Sequence, residues 1–237
     1  MGLDPVALIG LAGSVTQQAA AEPSPPNDPL PAFDFTDCPA LPAGADPALW
    51  RCEVLMSTGT IRIGDLGEQH PIALRLVFAE GQLDGKFAQV FGSLRAEPSP
   101  VPGGLPGIPG TEELNPRADL RIEYAGFADF LSVGDRMGEL HLKIRVISAL
   151  LPDTCAIGGD EDPIRLKPIR TIDHEVISTD PAVLGFTIED SEFAVPEARG
   201  GGDLDRLVNR RFGLPSPSGA NAMTLTTLVG LRSYTQL

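Results

Sequence analysis

The stretch Glu139-Leu140-His141-Leu142-Lys143-Ile144-Arg145-Val146-Ile147-Ser148-Ala149-Leu150-Leu151-Pro152-Asp153-Thr154-Cys155 decides the fold class. Leu140, Leu142, Ile144 and Val146 stand two residues apart, with His141, Lys143 and Arg145 between them. That is the period of a strand with one face buried and the other in water. Such a strand needs a sheet beside it and an apolar layer beneath it. Other alternating runs lie on both sides, which places this one near the middle of a β-rich domain.

Towards the N-terminus, Cys52, Val54 and Met56 alternate with Glu53 in a first strand over 50–57. Ser57 to Gly59 reads as a hairpin turn, after which Ile61 and Ile63 flank Arg62. Ile72, Leu74, Leu76 and Phe78 form a stronger strand ended by Glu80-Gly81, and 87–94 form another, so the three make a meander. Residues 97–116 carry too many prolines for a central strand, because proline has no N–H to donate, and they read as a long surface loop of the kind that carries function. Alternation resumes at Leu120, Ile122 and Tyr124. Beyond the central stretch, 164–169, 171–177, 186–193 and 223–231 supply further strands. One helix is expected over 204–212, capped by Asp203, with Arg210 and Arg211 at its negative end and Gly213 then Pro215 to stop it. Its Leu204, Leu207, Val208 and Phe212 face should lie on the sheet. The 26 glycines and 23 prolines suit many turns between short strands. The expected fold is mainly β: a sandwich or open barrel of antiparallel strands, with one C-terminal helix packed on it, in a single domain over 33–237.

Residues 1–32 read as a degenerate export signal followed by a proline-rich linker. An apolar run from Val6 to Val15 precedes Ala19-Ala20-Ala21, but no Lys or Arg comes before it and Asp4 stands where a positive charge belongs. The run is shorter than the roughly 20 apolar residues a membrane helix needs, so no transmembrane segment is expected. Cys38 and Cys52 flank a loop of about 15 residues, and a bridge there is worth about 3 kcal/mol in the chain-entropy model. The expected disulfide leaves Cys155 over, as a small buried hydrophobe before the alternatives of a reactive thiol or an intermolecular link. Both features place the protein in the cell envelope or the medium. A net charge of −14, from 18 basic and 32 acidic residues, repels nucleic acid and anionic lipid surfaces.

No hydrolase elbow, phosphate loop, zinc-protease helix or complete calcium loop is present. Two weaker sets are available: zinc held by Cys155, His141 and His174, and Asp173-His174 with a distant serine. Both stand below the simpler reading of His70, His141 and His174 as scattered histidines. Asp160, Glu161 and Asp162 could supply oxygens to calcium, but a solvated acidic turn accounts for them equally well and is preferred. No residue is therefore assigned to catalysis, to a cofactor or to a metal. What remains is an exported, non-catalytic binding or structural protein that engages an envelope protein through loops such as 97–116, with an apolar or aromatic patch nearby. Aromatic residues make up only 5% of the chain, which favours a protein partner over a glycan. The alternatives are a secreted hydrolase using a carboxylate pair, and a self-associating subunit that joins through the glycine- and proline-rich loop or the last strand.

Several segments also resemble the uncharacterised secreted proteins of actinobacteria. They are Asp-Cys-Pro-Ala-Leu-Pro-Ala-Gly-Ala-Asp-Pro-Ala-Leu-Trp-Arg-Cys-Glu-Val-Leu at 37–55, Val-Pro-Gly-Gly-Leu at 101–105, Cys-Ala-Ile-Gly at 155–158, Phe-Ala-Val-Pro at 193–196 and Phe-Gly-Leu-Pro-Ser-Pro-Ser-Gly at 212–219. The resemblance implies export. It also implies a fourth cysteine, flanked by glycines, that would bridge to the position of Cys155. Here Gly200-Gly201-Gly202 stands in its place.

Overall fold

Alternation becomes strand along most of the chain. The computed structural model describes residues 30–67, 69–108, 110 and 117–237; the expected export signal and most of its linker, at 1–29, lie outside them. The strands are β1 (Trp50–Arg62), β2 (Gln69–Leu83), β3 (Lys86–Ala96), β4 (Ser99–Pro100), β5 (Asp119–Val133), β6 (Arg136–Ile147), β7 (Ala156–Ile157), β8 (Ile164–Leu166), β9 (Ile169–Thr179), β10 (Ala182–Asp190) and β11 (Ala198–Arg199). Helix α1 (Asp205–Phe212) and strand β12 (Ala222–Ser233) complete the chain. All pair antiparallel in one sheet of order β3-β2-β1-β12-β10-β9-β6-β7-β11, with β5 and β8 also on β6. The sheet curls into a half-barrel, the open form of the expected architecture.

Side chains rather than a backbone ladder join its two edges. Across the seam between β3 and β5, Phe91 stacks on Tyr124 at 3.9 Å between ring centres and Gln89 Oε1 accepts from the Phe130 N–H at 2.9 Å, while Phe78 of β2 stacks on Phe130 at 4.2 Å. At one end the interior is solid. Ile61, Ile72, Leu120, Ile122, Leu142, Ile144 and Leu225 fill it, together with Val101 and Leu105 from the loop after β3 and Val208 and Phe212 from α1. The small residual void beside Ile61 and Ile144, about 10 Å³, is too tight for a water.

Five expectations change. Ser57 to Gly59 is not a turn: β1 runs through it, pairing Gly59 with Leu225. A Cβ on Gly59 would lie 2.0 Å from the Thr224 carbonyl, so the glycine serves a close approach of strands rather than a reversal. The loop at 97–116 is not wholly on the surface, because Val101 and Leu105 are among the most buried residues of the molecule. The last strand offers no edge, since β12 lies between β1 and β10. Asp203 does not cap the helix; a short 3-10 turn, Gly202–Leu204, precedes α1, and Asp205 Oδ1 accepts from the Gly201 N–H at 2.7 Å. Gly213 does close α1 in the left-handed region, as expected, but Leu207 turns away from the sheet and is 40% exposed.

The outside of β1 and β2 is covered as well. Cys52, Val54 and Val77 form a separate buried cluster under Phe33, Phe35 and Tyr234. The Cys38–Cys52 disulfide fastens this cover, with Cα atoms 5.9 Å apart. Asp37 adds an ionic tie to Arg95 at 2.8 Å and to Arg75. Hydrogen bonds from Arg95 and then Arg75 hold its carboxyl down at about 2.

Candidate functional site

The other end of the half-barrel is hollow. A cavity of about 360 Å³ is lined by side chains from seven of the long strands. Its walls are mostly apolar: Leu55 from β1, Leu76 and Phe78 from β2, Phe130 from β5, Leu140 from β6, Phe186 and Ile188 from β10, and Val229 from β12. Phe87, half-exposed in β3, stands at the rim. Period-2 geometry explains why these residues meet. Register pairs Arg51 with Glu80, Glu53 with Phe78 and Leu55 with Leu76, so all six point to one face, and the curl makes that face the inside.

Three of the six are charged. Arg51 Nε donates to Glu53 Oε1 at 2.7 Å, and its Nη2 donates to Glu80 Oε1. Gln89 Nε2 reaches Glu80 Oε2 at 3.4 Å. From the rim inward, Arg51 is 55% exposed and Glu53 only 12%. The Glu53 carboxyl is raised to about 7, by burial first and by the adjacent Glu80 carboxylate second, with Arg51 offsetting part of this. Arg51 ties the two glutamates together. Glu139 also lines the cavity, with its carboxylate held by His141 Nε2 at 2.8 Å and by Lys167 Nζ at 3.3 Å. The hydrogen bond from His141, more than the lysine, keeps Glu139 below its ordinary value.

The candidates read from sequence do not come together. His141 pairs with Glu139 and stacks obliquely on Phe127, while Asp173 and His174 Nδ1 both face Arg170, at 3.2 Å each. Cys155 is a free, buried thiol whose burial pushes its pKa up to about 11, the opposite of an activated nucleophile. Asp160 is tied to Lys143 at 2.8 Å beside a shallow cleft of about 450 Å³. Among the described residues, no group of three or more His, Cys, Asp or Glu side chains is placed to hold a metal ion.

Sequence reasoning missed Glu53 and Glu80. Glu53 has the opposite parity to Cys52, Val54 and Met56, and so read as wet. A signal did exist: Glu80 continues the parity of Ile72, Leu74, Leu76 and Phe78, so a strand that buries those four must aim Glu80 at the same face.

No family model matches the chain, and no curated protein matches it. No helix among the described residues is long and apolar enough to cross a membrane.

Proposed function

We propose that the protein is an exported, non-catalytic binding protein whose ligand is a small, mainly apolar molecule seated in the hollow end of the half-barrel. The observation that carries this reading is the cavity itself: about 360 Å³, walled by phenylalanine and leucine, with Arg51, Glu53 and Glu80 on one wall and Glu139 on another. Small-molecule sites have this composition and scale. The described part of the loop at 97–108 instead supports the solid end of the barrel, so the binding surface moves from loop to interior. Export is supported by the Cys38–Cys52 bridge, by the signal-like run at 6–21 and by the resemblance to secreted actinobacterial proteins. Glu53 and Glu80 are the carboxylate pair that a hydrolase would require, yet both are bonded to the one Arg51 guanidinium, which favours a structural or binding role over hydrolysis.

The test is equilibrium dialysis against a panel of small apolar fluorophores, neutral and charged. Saturable one-to-one binding of at least one member, lost in Leu76→Trp or in the smaller filling Val229→Phe, is expected. Failure of every member to bind, or binding indifferent to both fillings, removes the cavity as the site.

Self-association is a second reading, favoured by β9. Its only pairing with β6 is Arg136 with Ile169, so from Ile172 to Thr179 its outer edge is open among the described residues, and Ile172 and Val176 are each 62% exposed. Sedimentation of the native chain against Ile172→Lys/Val176→Lys tests it: a dimer reduced to monomer supports the contact, and a monomer in both ends the idea.

A further inference from the structure

We infer that the cavity takes an apolar amine, its ammonium group seated between Glu53 and Glu80 and its apolar body packed against Phe78, Phe130 and Phe186. The inference rests on the cavity reading and adds the head group. Charge balance is the first reason. The polar wall holds two carboxylates against one guanidinium, and among the described residues no other cation is bonded to either glutamate. One positive charge is missing there. A proton on Glu53 supplies it in the unliganded protein, consistent with the raised Glu53 pKa, and a ligand ammonium would supply it in the complex. A carboxylate ligand has no such place, because Arg51 already spends its fork on the two glutamates.

The walls are the second reason. Phe78, Phe130 and Phe186 line the same space as the acid pair, and aromatic faces attract a cation that has left water. The volume is the third: about 360 Å³ is roughly a dozen water volumes, enough for a short alkylamine or an arylalkylamine. With Arg51 the most exposed of the three charged groups, the apolar end enters first and the ammonium stays near the rim. The net charge of −14 raises the concentration of cations near the surface.

Binding then has a proton signature. The ammonium replaces the proton on Glu53, so complex formation releases up to one proton near pH 7. Affinity rises as pH increases through about 7, the value for Glu53. The charged groups facing the pair are Arg51 on β1 and, elsewhere on the cavity wall, Glu139 on β6; β3 contributes only the neutral Gln89.

The experiment is calorimetry of the native chain with octylamine, 1-octanol and octanoate at about pH 8, and with octylamine at about pH 7 in two buffers of different ionisation heat. Octylamine should bind at least roughly tenfold tighter than the other two. Glu80→Gln should remove that preference while leaving 1-octanol binding in place, and the proton release should vanish in Glu53→Gln. Equal binding of amine and alcohol, or stronger binding of octanoate, overturns the amine head group and leaves the apolar cavity standing. No binding by any of the three overturns both readings.

Discussion

The two ends of the half-barrel are built from the same strands and the same alternation, yet one is solid and the other hollow. At the solid end, chain that is not part of the barrel wall is inserted: Val101 and Leu105 from the loop after β3, and Val208 and Phe212 from α1, all of them at most 1% exposed. At the hollow end no described residue outside the barrel wall is inserted as a plug, and the wall carries Arg51, Glu53 and Glu80 in place of further leucines. A curled sheet has more interior than its own side chains fill, so what distinguishes the ends is the presence or absence of a plug.

The largest expected effect sharpens that contrast. Phe212→Ala should cost about 3–5 kcal/mol in urea unfolding, because it opens a void in packed surroundings. Phe186→Ala, which already borders empty space, should cost less than half as much; equal costs would mean the hollow end is not hollow. Next comes a staple at the solid end. A Cβ on Gly201 would lie 3.1 Å from Cys155 Sγ, close to the span of roughly 3 Å that disulfide geometry sets between one Cβ and the opposite sulfur. The backbone there, at φ −88° and ψ 2°, is open to any residue. Gly201→Cys should therefore bridge to Cys155, leave the protein two hydrogens light and add up to about 4 kcal/mol in the chain-entropy model. Two free thiols after mild oxidation would break this placement. The glycine triplet that interrupts the resemblance thus lies where a second disulfide would fit.

A somewhat smaller effect belongs to the hollow end. Glu53 titrates at about 7 in the folded chain against 4.5 as its ordinary value, so between those limits the folded state holds more proton than the unfolded one. Its contribution to stability is fully present below about pH 4.5 and is lost as pH rises through about 7, a change on the order of 3 kcal/mol. Chemical denaturation across that range should show Glu53→Gln flattening the decline relative to the native protein; parallel curves would refute the buried carboxyl. Least of all, Phe87→Ser, at a rim residue 51% exposed, should move stability by no more than about 0.5 kcal/mol while weakening any cavity ligand.

Reading β1 shows how far the sequence carries. The alternation of Cys52, Val54 and Met56 with Arg51, Glu53 and Leu55 is visible without a structure, and so is the bridge from Cys38. What alternation cannot say is which face turns inward when both are covered. Here the cysteine and valine lie under Phe33 and Phe35 on the outside, and the glutamate lines the inside. The low aromatic content misled in a related way. Only 5% of the chain is aromatic, but Phe78, Phe87, Phe130 and Phe186, from four different strands, converge on one cavity.

By itself the sequence determined what neighbours along the chain decide: period-2 strands, the glycine stop of α1, the short loop closed by Cys38 and Cys52, and the absence of ready-made catalytic motifs. Each depends on backbone geometry or on residues a few positions apart. Tertiary structure alone decided the curl that brings β3 against β5, the burial of Val101 and Leu105, and the meeting of Arg51, Glu53 and Glu80 in a hollow. These rest on which faces of distant strands share one interior, and on whether some other segment arrives to fill it, and a one-dimensional pattern carries neither.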